Sequence, residues 1–170
     1  MWNHFIDTES ELFYYTSDRA ENLIARKHEL TDNVIPASNS VMAHVLYDLG
    51  ILFENIKYTQ MAEKMANKME TETVKQGVYY ANWAMLLGRM VYPLFEVALL
   101  GAEAVRINLE IQKNYLPSVL FAGGTSENLP LLQNRLVNDK TTIYVCEDKS
   151  CHLPVLSSEE AFKLIRQKTR

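Results

Sequence analysis

Residues 95–122 read FEVALLGAEAVRINLEIQKNYLPSVLFA. Phe95–Leu100 is a short apolar run closed by Gly101, which suits a strand buried on both faces. Ala102–Leu116 then repeats at helical spacing, with Ala104, Ile107, Ile111 and Tyr115 on one line and Val105, Leu109 and Gln112 on another. Ser118–Ala122 is a second strand, stopped by Gly123 and Gly124. Strand, helix and strand at this spacing predict a small parallel or mixed sheet with right-handed crossovers.

Downstream, Pro130–Val137 reads as a short helix and Thr141–Cys146 as a third strand. Ser157 or Ser158 caps a final helix. Glu159 and Glu160 sit in its first turn, and Arg166, Lys168 and Arg170 at its end, an order that suits the helix dipole.

Upstream the pattern is mainly helical. Trp2, Phe5 and Ile6 end a short helix, Leu12–Thr16 is aromatic and strand-like, and Leu23–Ala25 is a second short strand. Pro36 separates this extended stretch from a helix over Ser40–Phe53, for which Ser38 or Asn39 is the expected cap. Its apolar stripe is read as Val41, Val45, Leu49 and Leu52, widened by Met42, Leu46 and Phe53. Thr59–Thr73 carries Met61, Met65 and Met69 opposite Glu63, Lys64, Asn67 and Lys68, so the methionines form a core stripe. The link between these helices is short, which makes them antiparallel neighbours. A third helix spans Gly77–Met90 and is ended by Pro93. The expected class is α+β, with helical hairpins over residues 1–92 and a small α/β subdomain over residues 93–170.

The 170 residues, 48% of them apolar, are enough to bury a core. The net charge of −4 argues against a general nucleic-acid binder, because counterion release needs a basic surface. No apolar run approaches the length of a membrane span. The opening residues MWNHFIDTES lack a basic region and a long apolar core, so a signal peptide is not expected and a cytoplasmic setting is. No cofactor is implied.

Six segments, in order, carry a resemblance: ELFYYTSD (Glu11–Asp18), ARKHELTDNVIPASNSVMAHVLYDLG (Ala25–Gly50), ANWAMLL (Ala81–Leu87), YPLFEVALLG (Tyr92–Gly101), NLPLLQNR (Asn128–Arg135) and IYVCEDKSCHLPV (Ile143–Val155). Together they resemble the C-terminal part of the thioredoxin-domain-containing family related to spermatogenesis-associated protein 20. Members of that family are longer. They begin with a thioredoxin-like domain carrying CxxC and continue into a helical region resembling six-hairpin α/α barrels of sugar-active enzymes. This chain has no CxxC and is too short for six hairpins. The resemblance therefore implies the last hairpins and a terminal α/β piece, as a truncated product or a stand-alone fragment. The implied partners are the missing N-terminal domains or a second copy, and the implied ligand is a small carbohydrate. Family members often have glycines before the aromatic strand, where this chain has Ser10, Glu11 and Leu12.

By the same analogy, Arg26–Asn39 contributes one wall of a carbohydrate-type pocket. Glu29 and Asp32 would be an acid–base pair in it, and Lys27, Ser38 and Asn39 would bind substrate hydroxyls. The alternative is that Ser38 and Asn39 cap the helix while Asp32 and Asn33 form a turn. His28 is read as structural or exposed, with a general acid or base role as its alternative. Tyr79, Tyr80 and Trp83 either pack in the core or stack on a sugar.

Cys146 and Cys151 are spaced C-x4-C with His152 beside them. They fit a redox disulfide across a hairpin between Val145 and Val155, two reduced thiols, or a zinc site lacking its fourth ligand. Gly123–Gly124 lacks both GxGxxG and GK[ST] and reads as a plain turn.

Overall fold

The computed structural model describes residues 2–21, 24–147 and 150–167. The fold is α+β. Two compact units divide the chain, Met1–Ile51 with Asn55–Gly88, and Leu52–Glu54 with Arg89–Arg170.

The first unit opens with a 3-10 turn over Trp2–His4 and a two-residue hairpin, β1 (Ile6–Asp7) against β2 (Leu12–Phe13). Ile6 thus begins a strand rather than ending a helix. The strand expected over Leu12–Thr16 is shorter, and its continuation is a single bridge from Tyr14 to His28. Leu23 lies outside the described residues, and Ile24 and Ala25 are irregular.

Helix α1 spans Ser38–Leu52, α2 Ile56–Lys75 and α3 Ala81–Val91. Asn55 caps α2 by accepting from Lys57 N at 3.1 Å. The buried stripe of α2 is Ala62, Met65, Ala66 and Met69, with Glu63, Lys64, Asn67 and Lys68 outward as the periodicity predicts. On α1 the buried face is Asn39, Ala43, Leu46 and Gly50, whereas Val41 and Val45 remain 44% exposed. The face is rotated from the expected apolar stripe and includes the hydrogen-bonded Asn39. Gly50 also faces α2 so closely that a Cβ there would stand 2.5 Å from the Thr59 side chain.

The third helix starts later than its pattern predicts. Gly77–Tyr79 is a 3-10 turn, and α3 begins at Ala81 after a break at Tyr80. Trp83 and Leu86 are its fully buried residues, Tyr80 is nearly so, and Tyr79 is exposed.

The second unit is built on β3 (Phe95–Leu100), the centre of a sheet ordered β4-β3-β5-β6. The other strands are β4 (Val119–Gly124), β5 (Thr142–Glu147) and β6 (Ser150–Cys151). β3 runs parallel to β4, with Phe95 opposite Val119, and antiparallel to β5, with Phe95 opposite Glu147. The sheet is therefore mixed. Alternation along β3 sends Phe95, Val97 and Leu99 to one face, where they meet Ile107 and Ile111 of α4 (Ala104–Ile111) and Ala161 and Ile165 of α5 (Ser158–Gln167). Ala98 and Leu100 reach the other face and pack with Leu131 and Leu132.

Gly123 and Gly124 are not a turn but the end of β4, opposite Leu99 and Leu100. A Cβ at Gly123 would collide with the Leu99 carbonyl oxygen. The helix expected over Pro130–Val137 is a 3-10 turn that stops at Leu132. Helix α5 has a capping box: Ser157 Oγ accepts from Glu160 N at 3.3 Å and donates to Glu160 Oε2 at 2.9 Å. Lys168 and Arg170, expected at its end, lie outside the described residues.

Candidate functional site

The polar stretch before α1 folds into a set of helix and strand anchors. Asn39 is fully buried. Its Oδ1 accepts from Phe13 N at 2.8 Å, and its Nδ2 donates to Phe13 O at 2.8 Å and Glu29 O at 3.0 Å. It does not cap α1. That task falls to two carboxylates upstream. Glu29 Oε2 accepts from Ser38 N at 3.0 Å, and Asp32 Oδ1 accepts from Ala37 N at 2.9 Å and from Ser40 Oγ at 3.3 Å. Asp32 also starts α3: its Oδ2 accepts from Asn82 N at 2.8 Å, while its own N–H donates to Tyr79 O at 2.7 Å. A carboxylate at a helix N-terminus meets unpaired N–H groups and the positive end of the dipole, so both placements are favourable. Trp83 Nε1 donates to Leu30 O at 2.9 Å and closes the same cluster. Lys27 takes part through its main chain, its O accepting from Tyr15 N at 2.9 Å.

His28 has partners that the sequence did not reveal. Its Nε2 is 3.1 Å from Asp7 Oδ2, and its ring stacks on Tyr14 at 4.5 Å between centroids. The guanidinium of Arg26 lies 4.0 Å over the other ring of this pair, Tyr14, and donates to Thr16 O and His4 O. The Ser10 hydroxyl, donating to Asp7, leads the hydrogen bonds that hold the Asp7 carboxyl below its usual range. Burial first, and the Asp7 charge second, push the Tyr14 phenol up.

Beside these anchors lies a cleft of about 340 Å³, lined by Trp2, Phe5, Phe13, Tyr14, Tyr15, Ser38 and Met42. Trp2 meets Phe13 edge-on at 5.2 Å. Ser38 is the one polar residue expected to bind substrate that lines it. Its Oγ is buried and makes no hydrogen bond among the described residues. Glu29, Asp32, Lys27 and Asn39 are not in the lining.

In the second unit a groove of about 620 Å³ runs past Gly101, Glu103 and Arg106. It lies at the C-terminal end of β3, where open α/β sheets commonly take ligands. Glu103 stands at the start of α4 and pairs with Arg106 at 2.6 Å, so the helix N-terminus already faces a carboxylate.

Cys146 and Cys151 are joined in a disulfide. They face each other on the adjacent strands β5 and β6. Cys146 is fully buried and Cys151 exposed. Arg135 reaches both sulfurs, Nη1 to Cys146 Sγ and Nη2 to Cys151 Sγ, each at 3.1 Å. Its backbone is pinned on both sides: Glu127 Oε1 accepts from Arg135 N at 2.6 Å and Leu136 N at 2.7 Å, and Thr142 Oγ1 donates to Arg135 O at 3.2 Å. Backbone donation from Leu136, Arg135 and Asn134 holds the Glu127 carboxyl below its usual range. Among the described residues, no group of three histidine, cysteine or acidic side chains is placed to hold a metal ion. No helix among them is long and apolar enough to cross a membrane.

No family model, no curated protein and no solved structure matches this chain.

Proposed function

We propose that this chain acts as the closing portion of a sugar-active-like helical protein of the cytoplasm, contributing part of a carbohydrate-type pocket without catalysing a reaction alone. The observation that carries this reading is the aromatic cleft of the first unit with the Ser38 hydroxyl buried and unpaired at its wall. Aromatic faces suit the C–H faces of a sugar ring, and a few placed polar groups on an apolar wall fix orientation. Glu29 holds the Ser38 backbone at the start of α1. On this reading Glu29 and Asp32 are positioning residues, since both hold helix starts and neither reaches the cleft. The partners that would complete the pocket are further domains of the same type of protein or a second copy of this chain.

Tryptophan fluorescence tests the reading. Trp2 lines the cleft while Trp83 is fully buried, so a Trp83→Phe background isolates the reporter. Titration with simple monosaccharides is expected to give a saturable change, and Ser38→Ala to weaken it about tenfold, the equivalent of about 1.4 kcal/mol. A flat signal with every monosaccharide, or an unchanged affinity in Ser38→Ala, overturns it.

A further inference from the structure

We propose that Cys146 and Cys151 are a cycling dithiol–disulfide pair whose reduced form is stabilised by Arg135, and that its reaction partner is an external dithiol. The inference stands on the second unit alone and does not depend on the carbohydrate reading.

Four features meet at this place. The two cysteines are directly opposed across β5 and β6, so the bond can open and close again while the ladder keeps the sulfurs adjacent. β6 is the edge strand of the sheet, and Cys151 on it is exposed, which gives a nucleophile a way in. Cys146 behind it is fully buried and is therefore the leaving sulfur. Finally, the guanidinium of Arg135 puts one N–H on each sulfur. A disulfide sulfur is a weak acceptor, whereas a thiolate is a full anion. A fixed cation with two matched donors thus gains most when the bond is broken, and an adjacent arginine lowers a thiol pKa. The clamp of Glu127 and Thr142 on the Arg135 backbone keeps the fork in place. Among the described residues, the other charged or titratable groups near the pair are the Glu127 carboxylate, already engaged by backbone N–H groups, Tyr144, whose ring centre is 5.2 Å from the guanidinium, Glu147, next to Cys146 in β5, Glu96, opposite Cys146 on β3, and His152, next to Cys151.

The exchange balances as follows. One thiolate of the external dithiol attacks Cys151 Sγ and forms a mixed disulfide. The Cys146–Cys151 bond breaks, its electron pair stays on Cys146 Sγ, and Arg135 Nη1–H donates to that thiolate. The second thiol of the dithiol loses its proton to solvent and attacks its own partner sulfur. Cys151 Sγ leaves as a thiolate beside Arg135 Nη2. Two electrons pass from the dithiol to the cystine, the dithiol becomes a disulfide, and its two protons go to solvent or to the released sulfurs.

The test follows reduction of the folded chain by dithiothreitol at neutral pH, with acid quenching, alkylation and mass determination. The native chain should gain no label before reduction and two alkyl labels after it. Arg135→Met should slow reduction about tenfold and shift the equilibrium about tenfold toward the cystine, and Arg135→Lys should recover part of both. The alkylation rate of the reduced native chain should rise at a pH well below the ordinary thiol value of about 8.5 and return to it in denaturant. This last measurement needs no variant, so it decides the matter if Arg135→Met does not fold. Native thiols that titrate at or above the ordinary value, an Arg135→Met chain that matches the native rate and equilibrium, or a chain already free of the disulfide before reduction, each overturn the proposal.

Discussion

The primary amide of Asn39 accepts from Phe13 N–H and donates to Phe13 O and Glu29 O, so one side chain supplies the hydrogen bonds that a neighbouring strand would give. Truncation to alanine removes the buried side-chain partners of Phe13 N and Phe13 O, at about 1–3 kcal/mol for each, while Glu29 O keeps the Asn39 N–H at 3.4 Å. Asn39→Ala is therefore expected to lower stability by about 3 kcal/mol or more in urea unfolding; a loss under about 1 kcal/mol would count against the clamp. Glu11 offers a second residue-scale test. It takes a φ of 55°, in the left-handed region that glycine enters without cost, and its carboxylate pairs with Lys64 at 2.6 Å. The side chains of Lys64 and Lys68 hold its carboxyl below the usual range, the hydrogen bond from Lys64 contributing most. Both Glu11→Gly and Glu11→Ala lose the ion pairs, but only alanine keeps a Cβ in that conformation. Glu11→Gly should be the more stable of the two by about 1 kcal/mol in thermal melts. Residue roles were only half legible beforehand. The polar stretch before α1 stood out by composition, but Asn39 pointing inward depends on Phe13, and Arg135 on cysteines eleven and sixteen residues away. No local spacing carries such partners.

At the scale of elements, legibility followed burial. Phe95–Leu100 reads as a buried strand because every residue but Glu96 is apolar, and the α2 stripe reads correctly because its two faces differ sharply in polarity. The α1 face did not, because Val41 and Val45 satisfy helical spacing as well as Ala43 and Leu46 do, and only packing chooses between them. The start of α3 was invisible for another reason: its N-terminal acceptor is Asp32, fifty residues upstream. Asp32→Ala should loosen α1 and α3 together, with a loss of about 1–2 kcal/mol read by urea unfolding followed by circular dichroism. Destabilisation within the scatter of ordinary surface substitutions would argue that the cap contributes little. In the second unit, the segment from Glu127 to Leu136 is held by one carboxylate whose folded pKa is depressed. That contribution is complete above the ordinary glutamate value of 4.5 and is lost as pH falls through the lower folded value. Thermal melts taken at steps from neutral to acid pH should fall off below 4.5, and Glu127→Gln should make that acid limb shallower. An identical acid limb in the variant would remove Glu127 from the account.

For the whole molecule, the α+β class was readable because helical spacing upstream gives way to short apolar runs downstream. Which apolar residues stay exposed was not, since an exposed apolar residue looks the same in sequence as a buried one. Val41 and Val45, one helical turn apart on α1, are each 44% exposed, and Val34 and Ile35 just before it are 95% and 69% exposed. Scattered apolar residues are ordinary on a surface, but a row on one helix face favours association. Light scattering is expected to show a mass that rises with concentration, and Val41→Lys with Val45→Lys to reduce that rise. A monomer at every concentration would remove self-association from the proposed partners.

The Asn39 clamp has a further consequence for time rather than stability. β1 and β2 are two residues each, too short to persist as an isolated hairpin. The amide hydrogen of Phe13 is shielded from solvent by a side-chain oxygen and not by a second strand. Its replacement by deuterium then requires release of one side chain twenty-six positions away on α1, so a single peptide proton keeps the clock for the docking of the N-terminal segment onto that helix.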